Sequence, residues 1–120
     1  MSDRIYSTGP ILNPKTNDGK HPMQLFYTLV LNQSPEWARI TISLFQLGQS
    51  KNLVQTITDM CAPNQSLSGT FTVSNLDALE IEYAIITSDD QERFLVSGWG
   101  AKDTGILIPE YRFVHKEMHQ

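Results

Sequence analysis

From Ala38 to Leu44 the chain alternates without a break: Ala38, Ile40, Ile42 and Leu44 are apolar, and Arg39, Thr41 and Ser43 between them are polar. Successive side chains of an extended strand point to opposite faces, so this period of two predicts a strand with one face on a core and the other in water. The habit returns further on. Leu67, Gly69, Phe71 and Val73 alternate with serines and threonines, and Leu79, Ile81, Tyr83 and Ile85 alternate with a set that includes Glu80 and Glu82. Residues 25–31 depart from it: Leu25, Tyr27, Leu29 and Leu31 share one face while Phe26, Thr28 and Val30 share the other, the pattern of a strand covered on both sides.

Further strands are expected over residues 53–58, 93–99 and 106–115, and turn residues separate them all. Gly48-Gln49-Ser50-Lys51-Asn52 reads as a hairpin loop, and Ala62-Pro63-Asn64-Gln65-Ser66 as a break. Ser74-Asn75-Leu76-Asp77 and Ser88-Asp89-Asp90-Gln91 are exits from strands. Gly100-Ala101-Lys102-Asp103-Thr104-Gly105 has the paired glycines of a loop that needs positive φ. No stretch keeps a helical period over three turns. Seven or eight strands so spaced predict an all-β protein, an antiparallel β-sandwich of jelly-roll or immunoglobulin-like order.

Residues 1–22 have a different character. Gly9-Pro10, Asn13-Pro14, Asn17-Asp18-Gly19 and His21-Pro22 set a turn or extended signal every few residues. This predicts an extended N-terminal arm ahead of a sandwich domain at 23–120, and fully stretched it reaches on the order of 70 Å, enough to cross a neighbouring subunit. Ile5, Tyr6, Ile11 and Leu12 are the apolar residues by which such an arm would hold a second copy. The alternative is a strap over the chain's own sandwich.

Composition narrows the function classes. At 120 residues one core is expected, and Lys+Arg 9 against Asp+Glu 13, a net charge of -4, gives no drive toward nucleic acid. No apolar run approaches the thickness of a bilayer, so neither a membrane span nor a secretory signal peptide is expected. Cys61 is the sole cysteine and is expected to be a small buried hydrophobe, not a nucleophile.

The candidate chemistry is sparse. His115 and His119 fall four apart as metal ligands on a helix would, but lack a third ligand and read as solvated tail residues. Glu80 and Glu82, about 7 Å apart on one strand face, suit a glycosidase pair by separation, yet outer-face charges explain them better. Asp89, Asp90 and Asp103 lack the spaced series of a calcium loop. Trp37 and Trp99 are candidate stacking platforms for a sugar ring. Asn32-Gln33-Ser34 and Asn64-Gln65-Ser66 fit the glycosylation sequon. No catalytic, metal or cofactor set emerges, and the expectation is a protein that is not an enzyme and carries no cofactor.

The segment Phe94-Leu95-Val96-Ser97-Gly98-Trp99-Gly100-Ala101-Lys102-Asp103-Thr104-Gly105, followed by Tyr111-Arg112-Phe113-Val114-His115-Lys116-Glu117, resembles small β-sandwich proteins of spore-forming bacteria related to the endospore appendage subunits. The leader Tyr6-Ser7-Thr8-Gly9-Pro10 to Asn13-Pro14-Lys15-Thr16-Asn17-Asp18-Gly19-Lys20 is similar as well. The resemblance implies a jelly-roll subunit that polymerises by strand addition, with an N-terminal connector, into a fibre or a spore-surface layer outside the cell. The appendage connectors carry cysteines, whereas residues 1–22 have none. A single thiol per chain links only pairs, so many copies must be held together by other means. The expected function is a non-enzymatic structural subunit that self-assembles through its arm and its sheet edges. The alternative is a carbohydrate-binding module.

Overall fold

The computed structural model describes residues 2–89, 93–115 and 118–119. Nine strands are seen among them: β1 (Ser2–Ser7), β2 (Ile11–Leu12), β3 (Leu25–Asn32), β4 (Ala38–Leu47), β5 (Lys51–Cys61), β6 (Ser66–Thr72), β7 (Ala78–Thr87), β8 (Phe94–Ala101) and β9 (Leu107–Phe113). They form two antiparallel sheets. One runs β1-β7-β4-β5, with β2 continuing the line of β1 along β7, and the other runs β6-β3-β8-β9. The pairs β4·β5, β3·β6 and β1·β7 nest one outside the next. That is the wrapping of a jelly roll; in the immunoglobulin order the first two strands would instead lie side by side.

The alternation read from the sequence sets the core. Ala38, Ile40, Ile42 and Leu44 of β4 and Leu79, Ile81, Tyr83 and Ile85 of β7 are fully buried. They meet Phe26 and Val30 of β3, Phe71 of β6 and Phe94 and Val96 of β8 from the opposing sheet. Aromatic rings facing a strand need room, and β8 supplies it with glycine. A Cβ on Gly98 would come within 2.5 Å of the Phe26 ring, and one on Gly100 within 2.3 Å of Met23 Sδ. Gly100 therefore belongs to a strand and not to the following loop; of the two glycines expected at positive φ there, only Gly105 has it, at 85°.

Two other elements differ from expectation. The hairpin loop shrinks to Gly48-Gln49-Ser50, and the short strand predicted at 53–58 lengthens to all of β5, because Lys51 and Asn52 already pair with Leu47 and Gln46. A bulge at Leu44/Phe45 absorbs one extra residue in β5.

The N-terminal segment lies on its own sandwich. β1 pairs with β7 from Ser2↔Thr87 to Ser7↔Glu82, and β2 pairs at Ile11↔Leu79 and Leu12↔Ala78. Between them Gly9, at φ 70°, bends the chain so that Thr8 exchanges bonds with Ile81. Tyr6, 2% exposed, and Ile11 lie in the core, while Ile5 and Leu12 face outward and are exposed. The geometry is that of the strap, with Tyr6 and Ile11 of this segment contributing to the same core as the rest of the chain.

Two buried asparagines close opposite ends of the sandwich. Asn13 donates to the carbonyls of Met23, Val73 and Leu76 and accepts from the Met23 N–H. Asn32 donates to the carbonyls of Glu36, Cys61 and Ala62 and accepts from Ser34. Each amide thus satisfies several backbone carbonyls from a buried or part-buried position. The first sequon is consequently shut to glycosylation, since Asn32 is wholly buried. Cys61, beside this end, is buried and its Sγ lies 3.2 Å from the Gln65 carbonyl. Burial pushes the thiol up, and the Asp59 charge adds to the effect.

Candidate functional site

The two sheets present very different outer faces. On the sheet of β1, β7, β4 and β5 the outward positions carry charge: Asp3, Arg39, Lys51, Glu80 and Glu82. Lys51 Nζ lies 3.1 Å from Glu80, also contacts Glu82, and sits 4.4 Å from the centre of the Phe45 ring. The short contact to Glu82, followed by Glu80, raises the lysine above its ordinary value. The Ser7 hydroxyl donates to Glu80 as well. Glu80 and Glu82 are therefore members of a surface ion-pair network that ties β5 to β7.

The other sheet carries no charge on the outer face of three of its four strands. Register fixes the neighbours: Leu25 opposite Thr72, Tyr27 opposite Thr70 and Trp99, Leu29 opposite Ser68 and Ser97, Leu31 opposite Ser66 and Leu95. The first charge met is Arg112 on β9, across from Trp99. Leu29 is 38% exposed and Leu95 46%. The double-sided apolar pattern of β3 implied a cover on each face; among the described residues only the face of Phe26, Thr28 and Val30 has one.

At one end of this surface, Leu29, Leu31, Leu95, Val96, Ser97, Val114 and His115 line a groove of about 490 Å³. It exists because β9 ends at Phe113, opposite Gly98, so that over Leu95–Ser97 β8 pairs with β3 on one side and has no β9 residue on the other. His115 closes the gap in hydrogen bonding. Its Nδ1 accepts the Val96 N–H at 3.3 Å, and its ring lies 4.9 Å from that of Tyr6. Further along, His119 bridges to Ser7 through two backbone bonds of 2.7 Å. His115 and His119 are thus structural residues that tie the C-terminal segment to β8 and β1, a role the tail reading did not anticipate.

At the far end of the same face, Tyr27 and Trp99 stand side by side across β3 and β8. Trp37 does not join them. It is 59% exposed in the β3–β4 connection, at the end of the sandwich where β3 finishes, whereas Trp99 lies level with the start of β3. The partner of Trp99 is the tyrosine, and the signal for it was the outward set Leu25, Tyr27, Leu29, Leu31, legible in the sequence as a face but not as a site.

A second concavity lies at that end. Lys15, Lys20, His21, Asp77, Lys102 and Asp103 are among the residues lining a polar cleft of about 730 Å³ formed by the segment before β3 and the β6–β7 and β8–β9 loops. His21 is buried, its Nδ1 2.6 Å from the Asn13 carbonyl and 3.5 Å from Asp77 Oδ1. The nearer carbonyl takes the ring proton, so His21 anchors the loop. Positive and negative groups alternate around the cleft, and no set converges on one point. Asp89 and Asp103 lie toward opposite ends of the sandwich, as Thr87 pairs with Ala38 and Ala101 with Leu25. Asp90 falls outside the described residues. No group of three or more His, Cys, Asp or Glu side chains able to hold a metal occurs among the described residues.

The fold has a counterpart in a solved structure. The crystal structure of Thermotoga maritima 1070 superposes with a TM-score of 0.55 over 92% of this chain and 90% of that one, at 14% identity. The likeness is one of fold. No family model matches the chain, and no curated protein matches it significantly.

Proposed function

We propose that this protein is a non-enzymatic structural subunit that assembles with copies of itself, packing the uncharged outer face of β6, β3 and β8 against the same face of a second copy. The observation that carries the reading is the contrast between the two sheets: one outer face holds a charge network and the other holds Leu25, Tyr27, Leu29, Leu31, Leu95 and Trp99 among serines and threonines. A contiguous apolar surface rimmed by small polar residues is characteristic of an interaction site. A chain of net charge -4 meets a like copy with least repulsion over an area that carries no charge. Three strands about 4.8 Å apart and about eight residues long give a footprint on the order of 400 Å² per copy. Doubled, that is about 800 Å², the size of a weak, reversible contact.

The arm enters this reading through Ile5 and Leu12, which are exposed along the β1 and β2 edge, since Tyr6 and Ile11 are used inside the fold. The fibre or spore-surface layer implied by the resemblance is part of the same proposal. Sedimentation over a range of protein concentrations tests it: the wild type is expected to associate, and Leu29→Glu with Leu95→Glu to shift it toward monomer while leaving the melting temperature nearly unchanged. A wild type that stays monomeric throughout sinks the reading.

The cross-strand pair Tyr27–Trp99 favours one second reading, a carbohydrate-binding face. Quenching or a blue shift of Trp99 fluorescence by an oligosaccharide, lost in Tyr27→Ala, would support it over self-association.

A further inference from the structure

We infer that β5 is a second self-association site, a sheet edge that pairs antiparallel with β5 of another copy. It has eleven residues, and every one from Lys51 to Met60 except Ile57 is exposed. Asn52 to Thr58 contain no charge, no proline and no glycine, and Leu53 and Val54 stand in water. A long edge of this kind offers unpaired N–H and C=O groups to another strand, and proteins that must avoid such pairing blunt their edges.

The remaining edges are blunted here. β1 is bridged at Ser7 by His119 and carries Asp3 and Arg4; β9 has Pro109, Glu110 and Arg112; β6 is shorter and is interrupted by Gly69. The bulge at Leu44/Phe45 leaves a regular stretch of β5 from Gln55 to Cys61.

The charges select the direction. Within β5 only Lys51 and Asp59 are charged, at opposite ends of the strand and on opposite faces of the sheet. Parallel pairing of two copies in register would stack Lys51 on Lys51 and Asp59 on Asp59, while antiparallel pairing keeps like charges apart and brings the uncharged stretch from Asn52 to Thr58 against its own copy. Such a pairing is generated by a two-fold axis, the symmetry by which most self-association proceeds. Pairing also covers Leu53 and Val54, which the opposing sheet of the same chain does not reach.

The edge contact stands without the face contact; only growth beyond a dimer rests on the proposed function. One two-fold contact closes after two copies. Two different ones on the same chain carry assembly past the dimer, to a closed tetramer if their axes meet and to an open chain if they do not.

Light scattering and sedimentation of four proteins separate the two contacts: wild type, Thr56→Lys at the edge, Leu95→Glu at the face, and the double variant, with Asn75→Lys as a charge control in a distant loop. The wild type and the control are expected above dimer size, each single variant as a dimer, and the double variant as a monomer, all with similar melting temperatures. An assembly size unaffected by Thr56→Lys overturns the edge inference, whereas one unaffected by Leu95→Glu overturns the face and leaves the edge standing. Hydrogen exchange reads the backbone directly. Amides of residues 55–61 that exchange freely in dilute wild type should be protected in the concentrated assembly, and their equal exchange in both would also overturn the edge.

Discussion

Asn13 and Asn32 show how much a single side chain can organise. Each occupies a fully buried position where three loop carbonyls converge, and the amide NH₂ answers all of them. Asn13→Asp replaces that donor with an acceptor and places negative charge against the carbonyls of Met23, Val73 and Leu76. A loss of about 3 kcal/mol or more is expected from urea unfolding, larger than that of Asn13→Ala, since an unpaired buried group costs about 1–3 kcal/mol and a charge more. Tyr83 makes a second prediction. Burial pushes its phenol well above the ordinary value near 10, and its hydroxyl donates to the Ser97 carbonyl at 2.9 Å. The unfolded chain then releases this proton where the folded one keeps it, so its share of stability is whole below about pH 10 and drains away above it. Tyr83→Phe should cost about 1 kcal/mol at pH 7 and yet show a shallower fall of melting temperature between pH 9 and 11.

Strands in this protein are specified by their neighbours as much as by themselves. β8 runs Phe94-Leu95-Val96-Ser97-Gly98-Trp99-Gly100-Ala101, and its glycines mark where Phe26 of the adjacent β3 and Met23 just before it approach the backbone. Gly98→Ala should lower stability by about 1–3 kcal/mol, read from urea unfolding, because the new Cβ meets the Phe26 ring and the Tyr83 hydroxyl oxygen. β4 is the opposite case. Its alternation alone fixes which residues enter the core, because a one-residue slip would expose Ile40, Ile42 and Leu44 together. β5 lies between the two, with Ile57 turned onto Gly69, Cys61 buried at its end and the other residues from Lys51 to Met60 left to solvent or a partner.

At the scale of the whole molecule, the N-terminal and C-terminal segments close the sandwich on one side. β1 and β2 complete the edge of β7, and the C-terminal segment crosses from β9 to Ser7, with His115 packed on Tyr6 and His119 over Gly9. Removing residues 1–12 strips Tyr6 and Ile11 from the core and bares β7. Circular dichroism and thermal melting of that truncation are expected to show loss of folding, not only of association; a stable truncated sandwich would return the segment to the role of an independent arm.

Much of the fold is legible in the residues themselves. Period-two alternation in β4, β6 and β7 and the turn clusters between strands dictate an all-β sandwich, because a strand cannot place neighbours on one face and turn residues cannot continue a ladder. The same local signals are silent on partners in space. Whether residues 2–12 pair with their own β7 or with another chain depends on contacts about seventy residues distant, and backbone hydrogen bonding is indifferent to which chain supplies it. Nor does the local pattern identify the uncharged face: Leu25, Tyr27, Leu29 and Leu31 announce a cover, but only the packing of β3 between β6 and β8 brings them together with Leu95 and Trp99 and leaves them uncovered. The nested jelly-roll order is likewise a property of the assembled sheets, since antiparallel strands of similar composition exchange places without changing the alternation that wrote them.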